Sequence, residues 1–283
     1  MKKKHRLPFS VLFEDDDLIV IDKPAGLLTT HTKLAGRAAR ESQLTAENIL
    51  NDYVRKGQLK SRQRVWLVHR LDRDTSGVMM FAKSDEIAER FRADWANLTE
   101  KTYLARVEGI IAEESGVFES HLLEDPDGYR VRSIKVNLGS ISQSVNLSIR
   151  QSVNPPIRQS VNPSIRQSVN PPIRQSVNPS IRQSVNPSIC QSANPSIRQP
   201  RYARTEWRRL SVKSGTTLVE VKLKTGRKNQ IRVHFSEAGH PVVGDVKYGG
   251  KRADRLHLHA KSLRFRHPRT GEWLEFSSPL ILV

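Results

Sequence analysis

A repeated unit of eight residues fills the middle of the chain and limits the folds that the chain can adopt. Isoleucine recurs every eight residues from Ile141 to Ile197, and the consensus unit is IRQSVNPS. Most units carry Asn-Pro or Asn-Pro-Pro, and proline interrupts both helices and interior strands. Ile and Val, the apolar residues of the unit, are too few to offset the entropy lost on ordering. A disordered loop is therefore favoured over a short β-solenoid, whose units are normally longer and more apolar.

The segments on either side of the repeat have strand patterns. HLLEDPDGYRVRSIKVN before the repeat reads as a turn and a strand, and RYARTEWRRLSV after it reads as a strand. Loops between strands tolerate long insertions because closure entropy grows slowly with loop length. The sequence predicts one domain built from residues 1–137 and 201–283, with an insertion at 138–200 between two strands of one sheet.

The chain is strongly basic even without the repeat. The 283 residues have a formal net charge of +18. Residues 141–200, which contain the repeat, hold six Arg and no Lys or acid, so the other 223 residues carry +12. This surplus indicates a polyanionic partner, nucleic acid first and an anionic membrane surface second. A single Cys excludes a disulfide framework and a multi-Cys metal site. No apolar run approaches the roughly 18 residues of a membrane span, and the basic start lacks the apolar stretch of a signal peptide. We expect a cytoplasmic monomer.

Outside the repeat, strand patterns are mixed with three helix patterns. The helix patterns cover residues 45–57, with Thr45 as N-cap, residues 84–98, with Ser84 as N-cap, and residues 228–239. The strands and helices do not alternate regularly as βαβ units. This arrangement predicts an α+β fold, with a mixed, mostly antiparallel sheet and flanking helices.

The loop HRLDRDTSG at residues 69–77 lies between two apolar strand patterns. Its last four residues, DTSG, match a type I turn, with Asp first and Gly fourth. This turn accounts for Asp74 and leaves Asp72 without a structural role. A carboxylate between Arg70 and Arg73 should stay ionised and could act as a nucleophile. The alternative is a surface ion-pair loop, and spacing alone favours that alternative.

A second polar segment is TGRKNQIRVH at residues 225–234. A strand pattern ends at Gly226 and a helix pattern begins, so Arg227, Lys228 and Arg232 fall in the first turns of a helix. The helix dipole disfavours cations at this end. Their placement is explained if this end faces an anion, either a phosphate or a buried carboxylate. The alternative is three solvated cations that tolerate a small penalty.

Other candidate ligands give weaker signals. His257 and His259 alternate on a strand pattern, but no third ligand is evident, so zinc is not predicted. The basic loop KYGGKR at residues 247–252 suits contacts to backbone phosphates. P-loop, GxGxxG and GxSxG motifs are absent from the sequence.

These motifs together resemble the signature of RluA-type pseudouridine synthases. HRLDRDTSG, with the apolar strand and AKS that follow it, carries the resemblance. The other matching segments are DKPAGLLT at 22–29, KTYLARVEG at 101–109, TGRKNQIRVH at 225–234, GHPVVGDVKYG at 239–249, and LHAKSL and HPRTGEWLEFSSP near the end. The resemblance covers nearly everything except the repeat. It implies the pseudouridine synthase fold with a central catalytic cleft, and an enzyme that isomerises uridine in RNA without metal or cofactor.

The resemblance also implies roles for single residues. It makes Asp72 the nucleophile and Arg227 its ion-pair partner. Tyr103 would lie against the target base as a candidate for proton transfer at C5. Arg70 would enter the space vacated by the flipped base, and Ile231 would line the pocket.

The neighbours of these residues in the two motifs are further RNA-binding candidates. They are His69, Arg73, Lys228, Asn229, Gln230 and Arg232. Asn229 departs from the family, which often has His at this position, although an amide can still form hydrogen bonds.

Three functional hypotheses remain open from the sequence. The first is an active synthase whose partner is RNA, either rRNA, tRNA or both. The second is a catalytically idle RNA-binding or ribosome-assembly factor on the same fold, and the intact Asp72, Tyr103 and Arg227 argue against it. The third is a glycosidase or nucleosidase that uses Asp72, and the basic charge disfavours it because free nucleosides do not require such a surface. The sequence does not choose between attack of the carboxylate on C1′ and a glycal route.

Overall fold

One mixed sheet organises the chain in the computed structural model, which describes residues 7–31, 43–56, 58, 61–134 and 199–280. Eleven strands of the described residues form this sheet. They are β1 (Ser10–Glu14), β2 (Leu18–Lys23), β3 (Trp66–Leu67), β4 (Ser76–Ala82), β5 (Thr99–Glu108), β6 (Ser115–Glu124), β7 (Val131–Ile134), β8 (Arg201–Lys213), β9 (Thr216–Leu223), β10 (Leu258–Arg266) and β11 (Trp273–Ser277). The strand order is β1-β2-β4-β10-β5-β9-β8-β6-β7, with β3 paired to β4 and β11 paired to β10.

Antiparallel pairing dominates the described sheet. Its one parallel pair is β4 with β10, where Ser76 and Gly77 lie opposite His259 and Ala260. A β-bulge on β10 follows Ala260, in the part of the strand that pairs with β5. The α+β fold with a mostly antiparallel sheet is confirmed.

Four α-helices of the described residues flank the sheet. They are α1 (Ala46–Val54), α2 (Asp85–Ala93), α3 (Trp95–Leu98) and α4 (Gln230–Glu237), and a 3₁₀ turn covers Val246–Tyr248. The side chains of Thr45 and Ser84 cap α1 and α2 by accepting hydrogen bonds from the N–H groups three residues later. The single helix predicted over residues 84–98 is interrupted at Asp94, whose backbone leaves the helical region at φ −131°. The predicted stop at Gly57 lies outside the described residues.

Alternating side chains of β2 and β4 separate two hydrophobic cores. Ile19 and Met79 belong to a core that extends to β5, β9 and α4. Leu18 and Val78 belong to a second core, which includes residues of α2 and β10. Because both of its faces are covered, β4 is buried along its whole length, and the loop that precedes it is fixed firmly at one end.

The two strands that flank the repeat both pair with β6. β7 ends at Ile134 and β8 begins at Arg201, and each is antiparallel to β6. The flanks of the repeat are therefore strands of one sheet, within a compact unit formed by Met1–Ile134 and Pro200–Val283. The prediction of a disordered repeat lies outside the described residues. No helix in the described parts of the chain is long and apolar enough to cross a membrane.

Candidate active site

A buried ammonium group joins the loop after β2 to the loop before β4. Lys23 is fully buried, and its Nζ donates hydrogen bonds to the carbonyl oxygens of Pro24 at 2.8 Å, Leu27 at 2.8 Å and Arg73 at 3.0 Å. The N–H of Gly26 donates to the same Arg73 carbonyl at 2.9 Å. Burial lowers the pKa of Lys23 to about 8, although the charges of nearby acids act in the opposite direction. The DKPAG loop thus holds the backbone directly after Asp72.

The turn at Asp72 lies two residues earlier than the sequence predicted. The N–H of Thr75 donates to the carbonyl of Asp72 at 3.2 Å, so Asp72 occupies the first position of the turn. Gly77, predicted as the last turn residue, already belongs to β4. Gly77 is required for another reason, because its φ is +117° and a Cβ there would lie 2.2 Å from the carbonyl oxygen of Ala260. Close contact between parallel strands, and not turn geometry, selects this glycine.

Arg232 of α4 faces the Asp72 carboxylate. Its Nη1 lies 3.5 Å from Asp72 Oδ2, and the exposed fractions are 9% for the Arg232 side chain and 33% for that of Asp72. The other edge of the guanidinium donates two hydrogen bonds of 2.7 Å to Asp245, whose side chain is fully buried. Nη1 also donates to Asn229 Oδ1 at 3.0 Å, and the guanidinium lies 5.0 Å from the centre of the Tyr248 ring. These contacts define the Arg232 clamp, which consists of Asn229, Arg232, Asp245 and Tyr248.

The Arg232 clamp keeps the guanidinium charged and fixed in place. Burial acts to lower the pKa of Arg232, but the hydrogen bonds and charge of Asp245, and the charge of Asp72, hold it above its ordinary value. Asn229 adopts a left-handed conformation at φ 53°, which Asn tolerates better than most residues. Its Nδ2 donates to the Tyr248 hydroxyl at 3.0 Å. Both amide atoms of Asn229 are therefore used inside the clamp.

The predicted pairing of Arg227 with Asp72 is wrong in this structure. Arg227 precedes α4 and is exposed, and its Nε donates to the carbonyl of Tyr202 at 3.0 Å. Arg232, five residues later, is the arginine that lies opposite Asp72. The physical reason is that Arg232 is on the buried face of α4, where a charge requires an ionic partner.

Tyr103 lies in β5 within the first hydrophobic core and is 6% exposed. The same core contains Leu71, directly before Asp72, and Ile231, directly before Arg232. Burial, and secondly the charge of Asp72, raise the pKa of the Tyr103 phenol well above its usual value. Tyr103 therefore remains protonated at neutral pH.

Some of the predicted RNA-binding residues are exposed to solvent, and others are buried. Arg70, Arg73 and Lys228 are exposed, whereas His69 is half-buried; the buried members are Asn229, Gln230, Ile231 and Arg232. Arg73 pairs with Asp74 at 3.1 Å. Lys228 pairs with Glu124 and donates to the carbonyl of Gly128 at 2.6 Å.

Gln230 is engaged within the fold and does not face solvent. Its Oε1 accepts from the Thr225 hydroxyl at 2.8 Å and from the N–H of Arg227 at 3.0 Å. Its Nε2 donates to the Arg204 carbonyl at 3.0 Å and to the Thr205 hydroxyl at 2.9 Å. These contacts fix the start of α4 against β8 and leave the amide no free group for RNA.

Sequence reasoning missed Asp245, Tyr248 and the linking role of Lys23. A signal for Asp245 was available, because Arg232 stands between Ile231 and Val233 in an apolar helix pattern. A charged residue among buried neighbours indicates a buried partner of opposite charge. No comparable pattern indicates which acid it is.

One group of described side chains could bring metal ligands together. Asp15, Asp17 and His267 place potential ligand atoms within 4.8 Å of one another. Existing interactions use these atoms, since His267 Nε2 is 2.7 Å from Asp15 Oδ2 and Arg269 forms two hydrogen bonds with Asp17. The group thus connects the β1–β2 turn with the turn after β10.

Comparison with known proteins finds relatives of similar sequence and a solved structure of similar fold. The family model described as RNA pseudouridylate synthase matches residues 17–237. tRNA pseudouridine synthase C of Haemophilus ducreyi is 28% identical over 97% of this chain and 92% of its own length. Ribosomal large subunit pseudouridine synthase D of Nitrosomonas europaea is 30% identical over 97% of this chain and 62% of its own length. The solved structure of human RNA pseudouridylate synthase domain containing 4 has a TM-score of 0.60 at 22% identity, covers 96% of this chain and 89% of that one, and shows the fold.

The fold and these matches define the class as an RNA pseudouridine synthase, an isomerase. The chain belongs to the RNA pseudouridylate synthase family, and within it to the RluA type. The family resemblance predicted from the sequence motifs is confirmed.

Proposed function

We propose that this enzyme converts uridine to pseudouridine in rRNA or tRNA with Asp72 as its nucleophile. The observation that carries the proposal is the contact of Asp72 with the Arg232 clamp. Asp72 is partly exposed and faces a cation that Asp245 fixes from the opposite side. A carboxylate held in this way is both reachable by substrate and oriented, which are the requirements for a nucleophile.

The reaction breaks the C1′–N1 bond, rotates the uracil and forms a C5–C1′ bond. The electron pair of the broken bond leaves with uracil N1, which gains a proton, and C5 loses its proton when the new bond has formed. The Asp72 carboxylate bonds to C1′ as N1 leaves and is displaced when C5 bonds to C1′, or it balances positive charge at C1′, as carboxylates do in glycosidases. Alternatively it accepts the C2′ proton in an elimination to a glycal and returns this proton when C5 bonds to C1′. Arg232 orients Asp72 and offsets its negative charge in either route.

Tyr103 and Ile231 border the position of the base in this proposal. The raised pKa of Tyr103 favours the phenol, which suits a hydrogen-bond donor to uracil better than a phenolate base for the C5 proton. Ile231 is 4% exposed in the same core as Tyr103 and supplies an apolar contact. The uridine must leave the base stack to reach these residues.

Arg70 is exposed and would enter the space that the flipped base vacates, and the exposed Arg73 would contact the RNA beside Asp72. We further propose that residues 1–137 and 201–283 form one catalytic domain and that 138–200 is an insertion. The net charge of +12 outside the repeat supports an RNA substrate, and predicts that affinity falls steeply with salt.

Tritium release from RNA labelled at uridine C5 tests the proposal. Wild type should release tritium from an unmodified rRNA or tRNA transcript, and Asp72→Asn should release none. Asp74→Asn is the matched control, because Asp74 is two residues away, is 45% exposed and pairs with Arg73; it should remain active. Release by Asp72→Asn at the wild-type rate would contradict the proposal. If the wild-type protein binds the transcripts but releases tritium from none of them, the result would instead support the catalytically idle RNA-binding factor.

A further inference from the structure

The ammonium group of Lys101 has no carboxylate partner among the described residues. It lies two residues before Tyr103 on β5, so both side chains leave the same face of the strand. Its Nζ lies 5.1 Å from the centre of the Trp95 ring. A Cβ built on Gly226, which directly precedes Arg227, would be 3.4 Å from this Nζ. The half-buried ammonium group of Lys101 therefore lies between Trp95 of α3 and Gly226, the residue before Arg227.

His69 presents a second unsatisfied donor against the same indole ring. Its Nε2 accepts a hydrogen bond from the N–H of Met80 at 3.1 Å, which assigns the ring proton to Nδ1. Nδ1 is buried and has no hydrogen-bond partner in the described parts of the chain. The imidazole packs on Trp95 with ring centres 4.7 Å apart. Burial, and secondly the charge of Lys101, lower the pKa of His69 to about 3, so the ring stays neutral.

Neither the Lys101 ammonium group nor the His69 Nδ1–H has a negatively charged acceptor among the described residues. A buried N–H without an acceptor is unfavourable, and so is a half-buried ammonium without an anion. Burial lowers the pKa of Lys101 to about 8, which shows how little the surrounding protein compensates its charge. Two exposed arginines directly follow residues near these groups: Arg70 follows His69, and Arg227 follows Gly226, whose built Cβ would be 3.4 Å from Lys101 Nζ. The local surplus of positive charge would attract an anion to this place.

We propose that Lys101 forms a subsite for one phosphate of the RNA strand, adjacent to the target uridine. This inference deepens the proposed function and rests on it. A phosphodiester supplies the negative charge that the Lys101 ammonium group lacks, and the neutral His69 ring on the same indole adds no competing charge. Two residues of a strand span about 7 Å, so a phosphate at Lys101 would belong to the target nucleotide or its neighbour. The subsite would fix the position of the sugar relative to Asp72.

Two lysine variants separate this subsite from general electrostatics. Lys101→Met keeps the length of the side chain and removes the charge. Lys222→Met is the matched control, because Lys222 is exposed and pairs in register with Thr102, so it leaves the opposite face of the same sheet. Each variant lowers the net charge of the protein by one.

The dissociation constant of an unmodified transcript should be measured between 50 and 200 mM salt for the three proteins. We expect Lys101→Met to weaken binding about tenfold, the effect of one lost charge-assisted hydrogen bond. It should also reduce the slope of log K against log salt by about 1, as expected for one phosphate contact. Lys222→Met should keep the wild-type slope. Thermal unfolding provides the check on folding, and Lys101→Met should be no less stable than the wild type.

Each outcome of these measurements has a definite meaning. The phosphate subsite is overturned if Lys101→Met is folded and keeps the wild-type affinity and the wild-type slope of log K against log salt. It is also overturned if Lys222→Met changes this slope as much as Lys101→Met does. If wild type releases no tritium from any transcript, the proposed function fails, whereas the binding comparison still tests the subsite.

Discussion

Replacing Asp245 by Asn would test the energetics of the Arg232 clamp. Asp245 is fully buried and accepts two hydrogen bonds of 2.7 Å from Arg232. The amide keeps one acceptor, turns an N–H₂ group towards a guanidinium N–H and removes the compensating charge. Loss of one partner from a buried ion pair costs about 3–5 kcal/mol. Asp72 and the Tyr248 ring still face the guanidinium, so we expect the lower end, about 3 kcal/mol.

Thermal and urea unfolding would measure this loss. For a domain of this size, about 3 kcal/mol corresponds to a fall in Tm of roughly 6–12 °C. Asp254→Asn is the control, because that carboxylate is exposed and is 3.0 Å from His257; its unfolding transition should not move. The double variant Arg232→Met/Asp245→Asn should lose less stability than the sum of the single variants, by about 1 kcal/mol or more, because it leaves no unpaired buried charge. A Tm within about 2 °C of wild type for Asp245→Asn, or strictly additive losses, would show that Asp245 does not stabilise the buried charge of Arg232.

Two further predictions concern backbone contact and pH. Gly77→Ala should lower the free energy of unfolding by more than about 2 kcal/mol, because the new Cβ would overlap the carbonyl of Ala260 in a conformation with positive φ. Gly215 is the control, because its φ is also positive but a Cβ there would have no atom within 4 Å. If Gly215→Ala loses as much stability in urea unfolding, the overlap with Ala260 is not the cause of the loss. The pKa of Lys101 falls from 10.5 to about 8 on folding. The unfolded chain therefore holds this proton over a pH range in which the folded protein has released it, and wild-type stability should rise relative to Lys101→Met between pH 8 and 10.5. A stability difference that stays constant across this range would show that Lys101 is not desolvated.

Local features of the fold could be predicted from the sequence because they depend on neighbouring residues. Thr45 and Ser84 cap their helices as predicted, since an N-cap needs only the N–H groups of the next turn. The position of Asp72 in a loop between two strands also followed from the apolar patterns on either side.

The pairing inside the site could not be predicted because it depends on the tertiary fold. Arg227 and Arg232 are both cations near the start of α4, and the local sequence does not show which one is on its buried face. Asp245 lies in a loop far from Asp72 in the chain, and no periodicity connects the two. Gly77 was assigned to a turn because the approach of Ala260, more than 180 residues later, leaves no trace in the surrounding sequence.

The parallel contact between β4 and β10 determines when a newly made chain can become active. The strand that follows the Asp72 loop has β10 as its neighbour on one side. Arg232, which contacts Asp72, and Asp245, which contacts Arg232, also lie late in the chain. A nascent chain that has emerged only as far as the repeat contains Asp72, the proposed nucleophile, but contains neither Arg232 nor the strand β10 that pairs with β4. Contacts of such long range form late in folding. Synthesis of the enzyme therefore separates the appearance of Asp72 from the appearance of activity, and competence begins only after the second half of the chain has been made.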